Sequence, residues 1–243
     1  MKIKWLLILL TIPYISLIAS DPVCYFSPPK KWIVADQSKN AKKSKIAYID
    51  KKLNAIFYPS ISLNIYECKI PPKEYIEANI AANNKDRNQT CFSLGPIETQ
   101  AGQGELIQIE HNHSIGKITI LQTLLFKDSK VYILTGSALS KEISKYYDNY
   151  LTSFRSLNIT PSFFDLMKSS PASRDHIKLA FEEILLILEK AKQPLNNATV
   201  ALVNKKRRII ERFLETDCSH FGTYLPILAL EELKRKIQLE TQL

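Results

Sequence analysis

The sequence predicts an α+β fold in which an antiparallel sheet is followed by an all-helical C-terminal region. Apolar and polar residues alternate in several short runs, which is the period of half-buried strands. These runs follow one another as hairpins with few helices between them, which favours an antiparallel sheet over βαβ units. From Pro161 onward, apolar residues instead recur three and four positions apart, as they do in helices. We therefore expect an α/β domain at residues 21–160 and about three helices at residues 161–243.

The N-terminus predicts a secretory signal peptide at residues 1–20. Lys2 and Lys4 precede an apolar run at 5–18, and small residues follow that run. A membrane-spanning helix needs ~20 apolar residues, which is more than this run contains. Cleavage after Ser20 would release an exported protein into the periplasm or at the cell envelope.

The first strands of the sheet are expected before the helix that Pro71-Pro72 introduces. A short edge strand fits near Trp32, and residues 46–49 and 55–58 form strand-like runs on either side of a turn. Apolar residues at every second position of 61–65 indicate a half-buried strand.

A helix, a loop and a further strand are expected next. The prolines favour a helix at 73–82, because proline is tolerated in a first helical turn. Residues 83–103 show no sustained period and are rich in Asn, Gln and Thr, so we expect a loop there. Residues 106–110 alternate in polarity and predict a strand.

The strongest pattern lies at residues 116–154. Apolar residues alternate on both sides of Asp128-Ser129, which predicts a β-hairpin with a two-residue turn. Ser140 is a suitable N-cap for the helix that follows, and the next apolar residues recur at helical spacing. The residues expected to face the sheet are Ile143, Tyr147, Tyr150, Leu151 and Phe154.

Residues 122–154, QTLLFKDSKVYILTGSALSKEISKYYDNYLTSF, resemble the closing segment of the PsbP-like fold, which the Ran-binding nuclear import factor of the Mog type shares. Trp32 also resembles the amphipathic tryptophan at the start of PsbP-like domains. The resemblance covers about residues 32–157. It implies an α/β/α sandwich around an antiparallel sheet, and it implies partner binding rather than catalysis.

Three helices are expected in the C-terminal region. The first begins at Ser170-Pro171, the second spans 195–215 and the third spans 225–239. The residues expected to face inward are Ile177, Phe181, Ile184 and Leu188 in the first helix and Leu202, Ile209 and Phe213 in the second.

The four cysteines predict disulfides, because thiols tend to pair in exported chains. Four cysteines allow three connectivities, which the sequence alone does not rank. A Cys68–Cys91 bond would close a loop of about two dozen residues, worth on the order of 3 kcal/mol. A Cys24–Cys218 bond would then tie the mature N-terminus to the C-terminal region. The alternative is that all four are small, buried and reduced side chains.

The run Lys205-Lys206-Arg207-Arg208 is the strongest concentration of charge. One interpretation is contact with an anionic membrane surface or an acidic partner, because each basic side chain near such a membrane gains roughly 1 kcal/mol. The other is the solvated face of a helix whose buried side comes from the neighbouring apolar residues. The net charge is +9 and falls to +7 once the signal is removed. An excess of this size in an exported protein does not indicate a nucleic-acid partner.

Residues suited to chemistry do not converge in the sequence. His111 and His113 fall on the same side of an extended segment and are weak metal candidates, since zinc needs three or four ligands. Glu182-Glu183 are adjacent in a helix and point about 100° apart, which is unsuited to paired acid catalysis. No nucleophile and base are assigned to one another, and no cofactor is indicated.

These observations predict an exported, non-enzymatic accessory protein that binds another exported or envelope protein. Two other classes stay open. One is a small-ligand carrier or enzyme with a pocket built from loops such as 83–104. The other is a structural envelope protein linked through its cysteines.

Overall fold

The computed structural model describes residues 22–35, 46–51, 55–167, 171–190, 197–216 and 228–229. The predicted signal at 1–20 lies outside these residues. Every helix within the described part is too short or too polar to cross a bilayer.

Nine strands in the described residues form two antiparallel sheets. The strands are β1 (Val23–Tyr25), β2 (Ile33–Val34), β3 (Ile46–Ile49), β4 (Ser60–Glu67), β5 (Gln89–Thr99), β6 (Gly102–His113), β7 (Gly116–Lys127), β8 (Lys130–Leu139) and β9 (Asn158–Thr160). The main sheet has the order β2-β3-β4-β8-β7-β6-β5, and β1 pairs with β9 in the small sheet. All neighbours in the main sheet are antiparallel.

Five helices accompany the sheets in the described part of the chain. They are α1 (Pro72–Asn84), α2 (Ile143–Arg155), α3 (Phe163–Leu166), α4 (Pro171–Lys190) and α5 (Asn197–Thr216). One 3₁₀ turn, Ser140–Glu142, leads into α2.

The main sheet lies between α1 and α2, and two neighbouring residues of β7 show this arrangement. Leu124 belongs to the apolar cluster that α1 covers with Ile76 and Ile80. Leu125 points to the other face, into the larger cluster that contains Tyr150 of α2. Since successive side chains of a strand point to opposite faces, the two clusters are separate layers of core. The predicted α+β fold with an antiparallel α/β/α sandwich is therefore confirmed.

The predicted hairpin and helix at 116–154 are also confirmed. Asp128 and Ser129 both have positive φ, 51° and 57°, as a type I′ turn requires. Tyr150 and Phe154 are buried. Ser140 does not cap α2, because that helix begins at Ile143 and the Ser140 hydroxyl bonds elsewhere.

The core of the main sheet continues into the C-terminal helices. Phe163 of α3 stacks on Phe181 of α4 with ring centroids 6.4 Å apart. Ile177 and Ile184 are fully buried in the same cluster as Phe26, which follows β1. The first predicted helix and its inward seam are therefore confirmed for these residues.

The third predicted helix, 225–239, lies outside the described residues except at 228–229. Leu228 and Ala229 are helical and buried.

Two predictions within the α/β domain are wrong. Residues 55–58 are not a strand, and Ile56 is 79% exposed. The strand that follows β3 and pairs with it is β4, which begins after Pro59. The expected loop at 83–103 contains β5, an eleven-residue edge strand. Its apolar period is weak because an edge strand with a bulge near Gly95 leaves much of both faces exposed.

The predicted Cys68–Cys91 disulfide is also wrong, because both thiols are free. The sheet register connects Cys91 through β6, β7 and β8 to Ser60 of β4, and Cys68 lies eight residues beyond Ser60. At ordinary strand spacings, four strand steps across the sheet and eight residues along β4 put the two cysteines on the order of 30 Å apart. A disulfide requires Cα atoms within about 7 Å. Cys24 is buried on β1, and Cys218 lies outside the described residues.

Candidate functional site

The basic run at 205–208 lies on α5, where the helix divides it into two pairs. Lys206 and Arg207 are in ion pairs: Nζ of Lys206 is 2.6 Å from Oε2 of Glu183 on α4, and Nε of Arg207 is 3.4 Å from Oε1 of Glu211. Lys205 and Arg208 are exposed and have no ion pair among the described residues. The run is therefore neither wholly solvated nor wholly available to a partner.

The inward face of α5 is shifted along the sequence by one position from the predicted face. Val203 is partly buried, and Ile210 and Leu214 are buried in the main core. Leu202 and Ile209, which were expected inward, are 42% and 43% exposed. One residue rotates a helix by about 100°, so this shift turns both side chains to the surface.

Three cations line a groove on the exposed side of α5. Lys205, Arg208 and Arg212 bound a cavity of about 490 Å³ together with Ala201, Asn204 and Ile209. Arg212 lies outside the basic run and was missed, although it follows Arg208 by four residues and Lys205 by seven. That spacing places the three on one helical face.

The ion pair between α4 and α5 lies between two exposed apolar ridges. On α5, Leu202 is four residues before Lys206 and Ile209 is three residues after it, so the three share one side of the helix. Lys206 is the residue that reaches α4. The apolar pair Leu202 and Ile209 therefore lies beside the boundary between the helices.

The same spacing occurs on α4. Leu179 is four residues before Glu183 and Leu186 is three residues after it. Leu179 is 57% exposed and Leu186 is 49% exposed. Because Glu183 is the α4 partner of Lys206, both ridges adjoin the same ion pair.

We call this region the α4–α5 surface. It comprises Leu179, Glu183 and Leu186 of α4 and Leu202, Lys205, Lys206, Arg208, Ile209 and Arg212 of α5.

The predicted histidine pair lies at the end of β6. The His111 and His113 ring centroids are 5.8 Å apart. His113 is exposed, whereas Nδ1 of His111 is buried without a hydrogen-bond partner in the described structure. No group of three or more His, Cys, Asp or Glu side chains that could hold a metal occurs among the described residues. The pair therefore stays at two ligands, fewer than zinc uses.

A polar cluster around Glu110 was not anticipated from the sequence. The Glu110 carboxylate accepts hydrogen bonds from Thr119 at 3.1 Å and Ser140 at 3.3 Å. It also accepts one from Gln108 at 2.6 Å and lies 3.1 Å from the Lys117 ammonium. With both oxygens occupied, the carboxylate joins β6 and β7 to the turn before α2. Its role is structural.

No protein-family model matches the chain, and no curated protein matches it.

Several solved structures are similar in architecture. LpqN of Mycobacterium tuberculosis, described as involved in cell envelope biogenesis, is 14% identical, with a TM-score of 0.46 over 58% of this chain and 84% of LpqN. Cyanobacterial PsbP (CyanoP) from Synechocystis is 11% identical, with a TM-score of 0.37 over 58% of this chain and 94% of that protein. A Pseudomonas aeruginosa protein of unknown function is 11% identical, with a TM-score of 0.37 over 51% of this chain and 94% of its own. At these identities the likeness is distant, and no residue role is carried over.

Proposed function

We propose that the chain is an exported, non-enzymatic accessory protein that acts through protein–protein contacts in the periplasm or at the cell envelope. The observation that carries this proposal is the α4–α5 surface. Four apolar side chains, each more than two-fifths exposed, adjoin one inter-helix ion pair. Single exposed apolar residues are ordinary on a protein surface, whereas a contiguous group of them marks a contact site.

The surface suits a partner that offers an apolar stripe with acidic residues beside it. The apolar ridges provide the area that a helical partner buries. Lys205, Arg208 and Arg212 complement carboxylates, and complementary charge accelerates association and fixes orientation. Ion pairing between the helices already neutralises Lys206.

An anionic membrane is a second candidate for the same surface. Exposed Leu202 and Ile209 beside basic residues have the composition of a helix that lies at a lipid interface. The acidic residues Asp175 and Glu182 on the exposed side of α4 oppose this arrangement, because an anionic headgroup layer repels them. We therefore favour a protein partner.

The other two alternatives have less support. The pocket at 83–104 was expected because this segment was predicted to be a loop, whereas it includes β5 and the start of β6. Among the cysteines that the structure describes, Cys68 is the partly exposed one on which a cysteine-linked structural protein would depend, because Cys24 and Cys91 are buried.

The test is capture of partners from the native envelope after gentle chemical cross-linking. A Leu202→Asn/Ile209→Asn variant removes the apolar ridge of α5 and leaves its inward face unchanged. Val200→Asn is the matched control, because Val200 is on the same helix, is 42% exposed and lies on another side. We expect capture by the wild type and by the control, with at least a tenfold loss for the double variant.

Equal capture by all three proteins would contradict the assignment of the surface. Flotation of the wild type with vesicles that contain phosphatidylglycerol, but not with neutral vesicles, would instead support the membrane candidate. Point variants are preferable to removal of 161–243, because that deletion would uncover Phe26 and other core residues packed beside the C-terminal helices.

A further inference from the structure

We infer that a second copy of this chain occupies the α4–α5 surface, so that two helix pairs form an antiparallel four-helix bundle. This inference rests on the proposed use of that surface for binding. A two-fold dimer needs a surface that is complementary to itself in shape and in charge. The α4–α5 surface meets both requirements.

The apolar ridges match in spacing. Leu179 and Leu186 are seven residues apart on α4, and Leu202 and Ile209 are seven residues apart on α5. Seven residues are two helical turns, which is the repeat at which packed helices bury side chains against each other. The α4 ridge of one copy therefore has the spacing to pack on the α5 ridge of another.

The charges beside the ridges are complementary between copies. Glu183 and Lys206 occupy the inner side of each ridge, where they pair with each other. The residue before each of these lies on the outer side of its ridge: Glu182 on α4 and Lys205 on α5. Both are exposed, and neither has an ion pair among the described residues.

In the proposed dimer the two-fold axis lies between the two copies and runs parallel to the helices. It places α4 of one copy over α5 of the other. Glu182 of each copy then faces Lys205 of the other copy. This contact occurs twice in the dimer, which favours self-association over a partner that lacks the same pattern. Two helical turns further along, Asp175 of α4 and Arg212 of α5 continue the same pattern of acidic and basic residues on the outer sides of the ridges. Asp175 also pairs with Arg174 at 3.2 Å. Lys178 lies on the same side of α4 as Asp175 and Glu182 and reduces the net negative charge of that side.

Sedimentation velocity of the full exported chain tests the inference over a range of concentrations. We expect a dimer for the wild type. Lys205→Glu alone and Glu182→Lys alone each place like charges opposite one another, and each should raise the dissociation constant at least tenfold.

Mixing these two variants should restore the dimer, since the mixed dimer then pairs Glu with Lys at both contacts. A chain that carries both substitutions should restore it as well. Glu77→Lys on α1 is the charge control and should leave the dimer unchanged. Folding of every variant is checked by far-ultraviolet circular dichroism.

A folded wild-type chain that stays monomeric at tens of micromolar overturns the inference, and so does a dimer that all the charge reversals leave intact. The wider proposal fails separately. If the wild type is monomeric but captures another envelope protein through Leu202 and Ile209, the second copy is the wrong partner and the α4–α5 surface is still the binding surface.

Discussion

The ring of Tyr150 lies directly against the backbone of Gly136, so closely that α2 can pack on β8 only because residue 136 has no side chain. A Cβ atom at Gly136 would be 2.5 Å from Cδ1 of Tyr150. The Tyr150 hydroxyl donates a hydrogen bond of 2.6 Å to the carbonyl oxygen of Ser137. This contact fixes the depth of α2 on the sheet.

Gly136→Ala should therefore destabilise the protein. The added methyl group must displace a fully buried aromatic ring, and overpacking of this kind costs about 1–3 kcal/mol. Urea unfolding followed by tryptophan fluorescence measures the change. Thr135→Ala, at the next position of β8 and on the opposite face, is the control and should cost less. An unchanged free energy of unfolding for Gly136→Ala would show that α2 does not pack as described.

Tyr150 also makes stability depend on alkaline pH. Burial, followed by the neighbouring Tyr146 and Asp50, raises the pKa of Tyr150 well above its ordinary value. The unfolded chain loses this proton near pH ~10, whereas the folded chain retains it. The contribution of Tyr150 to the free energy of unfolding is fully present below about pH 10. It is lost as the pH rises above that value, because the unfolded state then binds fewer protons than the folded state.

The free energy of unfolding should thus fall between about pH 9.5 and 11. Tyr150→Phe should show a shallower fall from a lower starting value, because it also loses the hydrogen bond to Ser137. The free energy of unfolding of this variant should still fall with pH, since burial likewise raises the pKa of Tyr25 and Tyr75. The same slope in wild type and variant would contradict this account of Tyr150.

Asn84 protects the exposed edge of the main sheet. Its Oδ1 accepts a 2.7 Å hydrogen bond from the Cys91 amide, and its Nδ2 donates a 2.9 Å hydrogen bond to the Cys91 carbonyl oxygen. The side-chain amide thereby takes the place of a neighbouring strand. An exposed edge would otherwise offer these groups to another chain.

Asn84→Ala should cost about 1–3 kcal/mol, because it removes two hydrogen bonds to the Cys91 backbone that are worth about 0.5–1.5 kcal/mol each. Burial also raises the pKa of the Cys91 thiol, so this cysteine should react slowly with a thiol reagent in the wild type and faster in the variant. Asn83→Ala is the control, because the Asn83 side chain bonds only within α1 among the described residues. Identical labelling rates for all three proteins would exclude a protective role for Asn84.

The turn of the central hairpin should accept glycine with a gain in stability. Ser129 has a φ of 57°, in the left-handed region that costs a residue with a Cβ roughly 1–2 kcal/mol. Ser129→Gly creates Asp-Gly, a preferred type I′ pair. After the entropy that glycine loses on folding, a gain of about 0.5–1 kcal/mol remains. A thermal melt with a lower midpoint than the wild type would contradict this prediction.

The periodic parts of the fold could be predicted from the sequence, and the irregular parts could not. Ile61 and Leu63 alternate with polar residues because only one side of β4 faces the main core, and that alternation is visible in the sequence. β5 was missed because an edge strand with a bulge buries few of its side chains, so no alternation is required. The Asn84 contact that protects this strand depends on a tertiary arrangement.

The candidate site was predictable only in part for a related reason. The basic run is visible in the sequence, but residues 209 and 210 are both isoleucine, so periodicity alone did not decide which one faces inward. In the structure Ile210 packs into the hydrophobic core, so Ile210 is the residue that faces inward. That choice exposes Leu202 and Ile209, separates Lys205 from Lys206, and adds Arg212 to the groove.

A photoreactive amino acid placed at position 209 tests the central claim most directly. After irradiation in the native envelope, this probe should give a discrete cross-linked product, either with a second copy or with another exported protein. The same probe at position 200 should give none, because it is equally exposed on another side of α5. No product at position 209 in the folded protein, or the same products from both positions, would contradict the claim that the α4–α5 surface is the binding surface.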